Sequence, residues 1–378
     1  MKSDDYDIAI RGAGPTGTAL ALLLARYAPD PARIALIGRP PADGVDPRSL
    51  ALNQGSRMLL EQLEAWPTRA ADVRTVHVSQ RHYFGRTLIR CEDLGVPRLG
   101  CVVAYAALLD ALRRAAAHSG VTLIESSRAT ATSGRNVQIA LDEQVLSSRV
   151  AVLSDGARPR GLHREYGQHA VVATVEVGQP RPGWAFERFT DEGPLAMLPH
   201  PDEGGLYSMV WCCAPDHARE LANLSSTAFA TALRAAFGDR LGQFGLKGER
   251  HIFPLSLHAG PSLPDPDIVA IGNAAQTLHP VAGQGLNLGL RDAAQLAQAL
   301  SPWLAHPSTT PTQILAAFAR RRRADRYLTA GITDFLPRVF ATHNPLPRHT
   351  RGLCLLALDL SRTLRAPLAR HLMQGLRI

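Results

Sequence analysis

Residues Ile271 to Asp292 read Ile-Gly-Asn-Ala-Ala-Gln-Thr-Leu-His-Pro-Val-Ala-Gly-Gln-Gly-Leu-Asn-Leu-Gly-Leu-Arg-Asp. A buried-strand pattern from Asp267 to Ile271 enters this stretch, and a helical pattern from Ala293 to Leu300 leaves it. Between them lie Gly272, Gly283, Gly285 and Gly289, with one apolar pair, Leu286 and Leu288, at strand-like spacing. A glycine-rich turn that opens a helix presents bare N–H groups and the positive end of a dipole. That suits an anion or the electron-rich edge of a ring. A second turn of this kind, Gly12-Ala13-Gly14-Pro15-Thr16-Gly17, follows the apolar strand Ile8-Ala9-Ile10. It opens a helix over Thr18 to Tyr27, and a second strand over Ile34 to Ile37 comes next. This is the strand–turn–helix–strand setting of a dinucleotide fingerprint: Gly12 makes the turn, Gly14 lets backbone approach a pyrophosphate, and Gly17 packs helix on strand. The turn alone does not separate FAD from NAD. The acid expected for the ribose at the end of the second strand is missing; Gly38 and Arg39 stand there.

These turns need a frame to hold them. A chain of 378 residues with 46% hydrophobic content is long enough for two or three domains, or for one α/β unit with an inserted sheet. The opening βαβ unit runs to about Arg48, Ser49 to Leu63 reads as a helix, and Thr75 to Ile89 reads as strands. Tyr105 to His118 is an amphipathic helix, and Val121 to Glu125 and Val150 to Leu153 return to the first sheet. From His163 to His258 short alternating runs appear (Ala170 to Val177, Ala185 to Phe189, Leu195 to Leu198, Leu206 to Trp211), which reads as a mostly antiparallel sheet. Ile268 to Ile271 then drops back into the first fold, so one unit interrupts the other. Ile314 to Tyr327 is helical, and the remainder from Phe335 is helical with proline breaks.

Composition excludes several classes. There is no apolar run of membrane-spanning length and no apolar leader before the first strand, which gives a cytoplasmic expectation. The five cysteines form no CxxC pair and the 14 histidines show no metal-ligand spacing, so no metal is expected and the thiols read as buried and free. The net charge is +8, and the chain from Arg320 onward carries twelve Arg against three Asp. This basic tail, sharpest at Arg320 to Arg323, reads as a solvated helix face or as a contact with an anionic lipid or protein surface. No aromatics interleave with the arginines and no nucleic-acid motif is present, so nucleic acid is not an expected partner.

Taken together the chain resembles the class A flavoprotein aromatic hydroxylases, in particular the ubiquinone-biosynthesis branch of the 2-polyprenyl-6-methoxyphenol hydroxylase type. The resemblance is carried by Gly12 to Gly17, Asp46-Pro-Arg-Ser-Leu-Ala-Leu52, Leu99 to Val103, Asp155-Gly156, and Glu187-Arg-Phe-Thr190 with Gly193 to Pro199. Phe253-Pro-Leu255 adds to it, and the most specific part is Gly272 to Pro280 with Ala282 to Asp292. Gln276 and Asn273 stand where the wider class has His and Asp, and both replacements fit the ubiquinone branch.

The resemblance implies an α/β fold: a Rossmann-like FAD-binding domain over residues 1–75, 100–160 and 265–320, interrupted by a mostly antiparallel β-sheet substrate domain over 76–99 and 161–264. A helical basic C-terminal region over 321–378 follows. It also implies one FAD, NAD(P)H as co-substrate, and oxygen delivered through a flavin hydroperoxide to an activated, polyprenylated phenol ring. The implied cofactor residues are Gly12, Gly14, Pro15, Thr16, Gly17, Arg48, Asp155, Gly272, Asn273, Gly283, Gln284, Gly285, Leu286 and Asn287. The implied catalytic residues are His279, as a candidate base, and Pro280, shaping the wall where oxygen reacts. The implied setting is the cytoplasm or the periphery of the inner membrane, with the basic C-terminus touching lipid or a ubiquinone-biosynthesis complex. Family members usually show Ser and Arg shortly after the Asp-Gly pair, where this chain has Pro159 and Leu162. With Gly38, these departures motivate one alternative, a weakly catalytic homologue that scaffolds a complex; the other alternative is an FAD hydroxylase of another, soluble aromatic.

Overall fold

Apolar runs such as Ile8-Ala9-Ile10 and Ile34-Ala35-Leu36-Ile37 are satisfied only in strands covered on both faces. The computed structural model describes residues 5–39, 46–82, 85–156, 161–202, 204–279, 283–307 and 309–341. Both runs become inner strands of a seven-stranded sheet. Its parallel part runs Thr122–Glu125, Ile34–Gly38, Asp5–Arg11, Val145–Leu153, Ile268–Ala270, and Val137–Ala140 and Thr130–Thr132 extend it antiparallel. Ile8 sits between Ile34 and Val150. The helix Pro15–Ala25, buried from Pro15 to Leu24, packs on this sheet with helices Tyr105–Ala117 and Gln284–Leu304. Ile8, Ile10, Leu20, Leu24, Leu108 and Leu296 share that core.

The second sheet has eight strands, in the order Gln276–Thr277, Phe244–Ala259, Leu162–Val177, Leu206–Cys213, Pro194–Pro199, Trp184–Phe189, Thr75–Gln80, Arg86–Arg90. One of its faces buries Val171, Phe186, Met197 and Met209 against Phe229 and Phe237 of the helix Ser226–Phe237. The other face turns toward a three-stranded sheet made of Ser49–Asn53, Gly100–Ala104 and Ala71–Val73. Ala185 and Leu198 pack there with Val73, Leu99 and Val102, and Ser208 Oγ lies 2.7 Å from Ser49 Oγ.

Four elements differ from the expectations above. Ser49 to Leu63 is not one helix: Ser49–Asn53 is a strand paired with Gly100–Ala104, and the helix is Gln54–Gln62. The side chain of Asn53 accepts from the Ser56 N–H and starts that helix, a cap overlooked in the apolar pattern. The inserted region holds two helices, Pro215–Asn223 and Ser226–Phe237, the second capped by Ser225, and its sheet contains one parallel pair, Trp184–Phe189 with Thr75–Gln80. The helix after the second glycine turn begins at Gln284, not near Ala293, so Leu286 and Leu288 are helical. At the C-terminus one helix, Thr312–Ala341, runs straight through the basic cluster; the region beyond residue 341 lies outside the described residues.

Candidate active site

The first turn is built by close approach. Gly12 has φ +117, and a Cβ there would meet the Asp155 backbone nitrogen at 2.5 Å. A Cβ on Gly17 would meet the Gly12 carbonyl oxygen at 2.0 Å. Ser154 Oγ donates to the Gly12 carbonyl at 2.9 Å, and the Gly12 N–H donates to Ile37 at 2.7 Å. Gly14 differs: its backbone is extended, and nothing lies within 4 Å of where its Cβ would be. Neither strain nor packing requires glycine at this position. The helix it opens has no side-chain cap, no acid in its first turn, and Pro15 at its start. Gly14 therefore borders free space at a positive helix end, where first-turn N–H groups have no intrahelical acceptor.

The missing acid at residue 38 has a steric reason. A Cβ on Gly38 would lie 2.4 Å from the Ala13 methyl, so the first turn occupies the room a side chain would need.

The second turn repeats the pattern. Gly283, with φ +58, caps the helix Gln284–Leu304 without a side-chain bond, and no acid follows in the first turn. Gly285 also has no neighbour within 4 Å of a would-be Cβ. The two helices touch directly: a Cβ on Gly289 would meet Thr16 Oγ1 at 2.6 Å, and one on Gly272 would meet Thr16 at 3.1 Å. So Thr16, predicted as a cofactor residue, is the point where the two glycine segments close on each other.

Asn287 ties this helix to the strand Ser49–Asn53. Its Oδ1 accepts from the Asn53 N–H (2.9 Å) and Ser56 Oγ (2.8 Å), and its Nδ2 donates to the Ala51 and Gly283 carbonyls (2.9 and 2.8 Å). The side chain is thus spent on structure. Gln284 is buried, Leu286 and Gly285 are half-buried, and Asn273 lies beside Gly156. Asp155 pairs with Arg11 at 2.8 Å. Arg48 pairs with Asp46 at 2.6 Å and lies over the rings of Tyr105 (4.9 Å) and Phe253 (5.6 Å). Burial alone would raise the Asp46 carboxyl, but Arg48 outweighs it and holds it below the usual range.

His279 is buried under the long strand Leu162–Val177, with Nε2 3.3 Å from Gln168 Oε1 and its ring edge-on to Tyr166. Burial pushes its pKa down to about 4, so it is neutral at physiological pH. Pro280, predicted beside it, and Pro159 lie outside the described residues. Leu162 is exposed at the start of its strand.

Sequence reasoning missed the network that fixes the second turn. Asp292 Oδ2 accepts from the Gly272 N–H and from Gln276 Nε2, both at 3.1 Å. Its Oδ1 accepts from Arg322 Nε at 2.6 Å, and Arg322 reaches Asp325 at 2.6 Å, which Arg291 also meets at 2.7 Å. Arg326 donates to Gln276, Ser262 and the Gly260 and Ala275 carbonyls. Burial would raise Asp325, but Arg291 and Arg322 outweigh it and hold it ionised. The basic cluster was read as a surface feature; Arg322 is 2% exposed, so part of that charge is internal glue. Arg320, Arg321 and Arg323 are exposed. The signal available was the spacing Arg322, Asp325, Arg326, which puts three charges on one helical face.

A family profile described as an FAD binding domain matches residues 5–326. The chain belongs to that FAD-binding family. Within it, the chain is 31% identical to the ubiquinone hydroxylase UbiL of Rhodospirillum rubrum, over 98% of this chain and 90% of that one. It is 27% identical to the 3-demethoxyubiquinol 3-hydroxylase of Escherichia coli, over 95% and 96%. The fold matches that of p-nitrophenol 4-monooxygenase PnpA from Pseudomonas putida, with a TM-score of 0.76 at 15% identity over 99% and 100%. These relatives place the chain in the ubiquinone branch of the flavoprotein hydroxylases that the motifs resemble, and the open glycines at Gly14 and Gly285 fit the family's cofactor. Among the described residues, no helix is long and apolar enough to cross a membrane.

Proposed function

We propose that this protein is an FAD-dependent monooxygenase that hydroxylates the ring of a polyprenylated phenol in ubiquinone biosynthesis, using NAD(P)H and O2. The supporting observation is the pair of uncapped, glycine-opened helices, with open space at Gly14 and Gly285, that meet through Thr16. Gly12, Gly14, Pro15, Thr16 and Gly17 would hold the pyrophosphate. Gly272, Asn273 and the stretch Gly283, Gln284, Gly285, Leu286, Asn287 would hold the ring end. Arg48 and Asp155 would border the cofactor, Arg48 after release from Asp46. Bound FAD supplies electron transfer from NAD(P)H and activation of oxygen. The chain's share is orientation, exclusion of water, and stabilisation of charge on the reduced ring by the N–H groups that follow Gly283. Neutral His279 would orient the ring.

A lipid-tailed substrate is reached at a membrane or in an assembly. Arg320, Arg321 and Arg323, with exposed Tyr327 and Leu328 on the same helix, would face such an anionic surface. The test is reconstitution with FAD and assay with NAD(P)H and a short-tail 2-polyprenylphenol. The expected result is a yellow protein, substrate-stimulated NAD(P)H oxidation and one hydroxylated product by mass spectrometry. A protein that takes up no flavin, or that yields no hydroxylated phenol, defeats the proposal.

A further inference from the structure

The two faces of the eight-stranded sheet are finished differently. Phe186, Leu195, Met197 and Met209 are buried against the helices. The alternate positions Val78, Glu187, Ala196 and Val210 keep accessible surface. Register sets these four side by side: Val78 opposite Glu187, Glu187 opposite Ala196, and Ala196 opposite Val210, with Val172 next. Val76 and Leu198, on the same face, pack on the three-stranded sheet, so this row looks into the molecule between the two sheets. Glu187 stays half-buried on this inward-facing row.

A carboxylate in that place is unusual. Its neighbours Val78 and Ala196 offer no hydrogen bond, and among the described residues its carboxylate makes no hydrogen bond or ion pair. The titratable group acting with it is Cys212, whose thiol burial holds well above its ordinary range and keeps neutral. Burial alone pushes Glu187 up to about 7. A polar group kept unpaired in an apolar setting costs stability, and such costs concentrate where a ligand completes the bond. The rest of the row is apolar with small side chains, which suits a substituted aromatic ring.

We propose that Glu187 is a catalytic residue that accepts the hydrogen bond, and then the proton, of the substrate's ring hydroxyl. This rests on the phenol-hydroxylase reading given above. In the step, the phenol O–H bond breaks, the proton forms a new O–H bond on Glu187, and the electron pair stays on the phenolic oxygen. From there it raises electron density at the ring carbons ortho and para, the carbons open to oxygen transfer. The proton returns when the product re-forms its phenolic O–H.

The experiment compares holoenzymes of wild type, Glu187→Gln and Glu187→Asp with a short-tail 2-prenylphenol and its O-methyl ether. For Glu187→Gln we expect product formation to fall by about 100-fold or more, a typical loss for a general base, with flavin content unchanged. The wild-type rate should fall on acidification through about 7, and the residual rate of Glu187→Gln should lack that limb. Wild type should perturb its flavin spectrum more with the phenol than with the ether, Glu187→Gln should respond equally to both, and Glu187→Asp should recover part of the rate. A melting temperature of Glu187→Gln no lower than wild type separates lost chemistry from lost folding. Wild-type-like kcat, KM and pH profile in Glu187→Gln overturn the proposal. A wild-type enzyme that hydroxylates no phenol overturns instead the reading beneath it.

Discussion

The two glycine-opened helices present the same chemistry and are held in opposite ways. The first turn is assembled by its own neighbours in sequence, with Gly17 against the Gly12 carbonyl, and needs from afar mainly Ser154 and the Asp155 backbone. The second is held by distant side chains: Asn287 to Ala51, Asn53 and Ser56, and Asp292 to Gly272 with Arg322 and Arg326 behind it. A local motif survives as a short pattern. A site held by tertiary contacts spreads its requirements over the chain, and some of them look like surface charge.

The contrast breaks first at Arg322. Replacing it by Ala leaves buried Asp292 without its cationic partner and Asp325 with Arg291 alone, and losing one member of a buried pair typically costs about 3 kcal/mol. Urea unfolding should show that loss, and flavin content should fall with it; a change under ~1 kcal/mol would mean the second turn does not depend on this network.

His279 gives the next effect, through pH. Its folded pKa, about 4, lies below the ordinary 6.5, so the unfolded chain binds more protons between those values. Its contribution is intact above pH 6.5 and is lost as pH falls toward 4, by about 3 kcal/mol at most. His279→Asn should flatten that part of the stability curve. Glu187 acts with the opposite sign, since its raised pKa makes the fold gain stability as pH falls from about 7 toward 4.5. Glu187→Gln should therefore steepen the acid loss that His279→Asn flattens.

Asn287→Ala strips partners from the Asn53 N–H and Ser56 Oγ and should cost about 2 kcal/mol in thermal unfolding. Gly14→Ala sharpens the contrast from the other side. Its extended backbone accepts alanine and the space is open, so apoprotein stability should stay within ~0.5 kcal/mol while FAD affinity, measured by fluorescence titration, drops. Equal loss of stability and affinity would show that Gly14 is structural.

The sequence disclosed the parallel strands because their apolar runs admit no other placement, and the first turn because all its parts are adjacent. The class of fold followed from Ile268 re-entering the sheet after the alternating runs. Ser49–Asn53 fits either period because its apolar part is only Leu50 to Leu52 beside a helix, and its pairing with Gly100–Ala104 decides the matter from about fifty residues away. The helices at 215 and 226 are short, and the alternating strands around them set the reading. Arg322 was read as solvated because a run of four arginines masks which one points inward. His279 was singled out, but its burial and its approach to Gln168 come from a strand far away in the chain. Glu187 was noted only as part of a motif, because which face of a strand looks into the molecule depends on what packs above it.

The contact between Gly38 and Ala13 makes those two positions a ratchet for anyone redesigning the nucleotide cleft. An acid placed at 38 alone collides with the methyl at 13, while trimming Ala13→Gly first opens the room. The order of the two changes therefore matters, their effects will not add, and a library that samples them singly will discard the combination it was built to find.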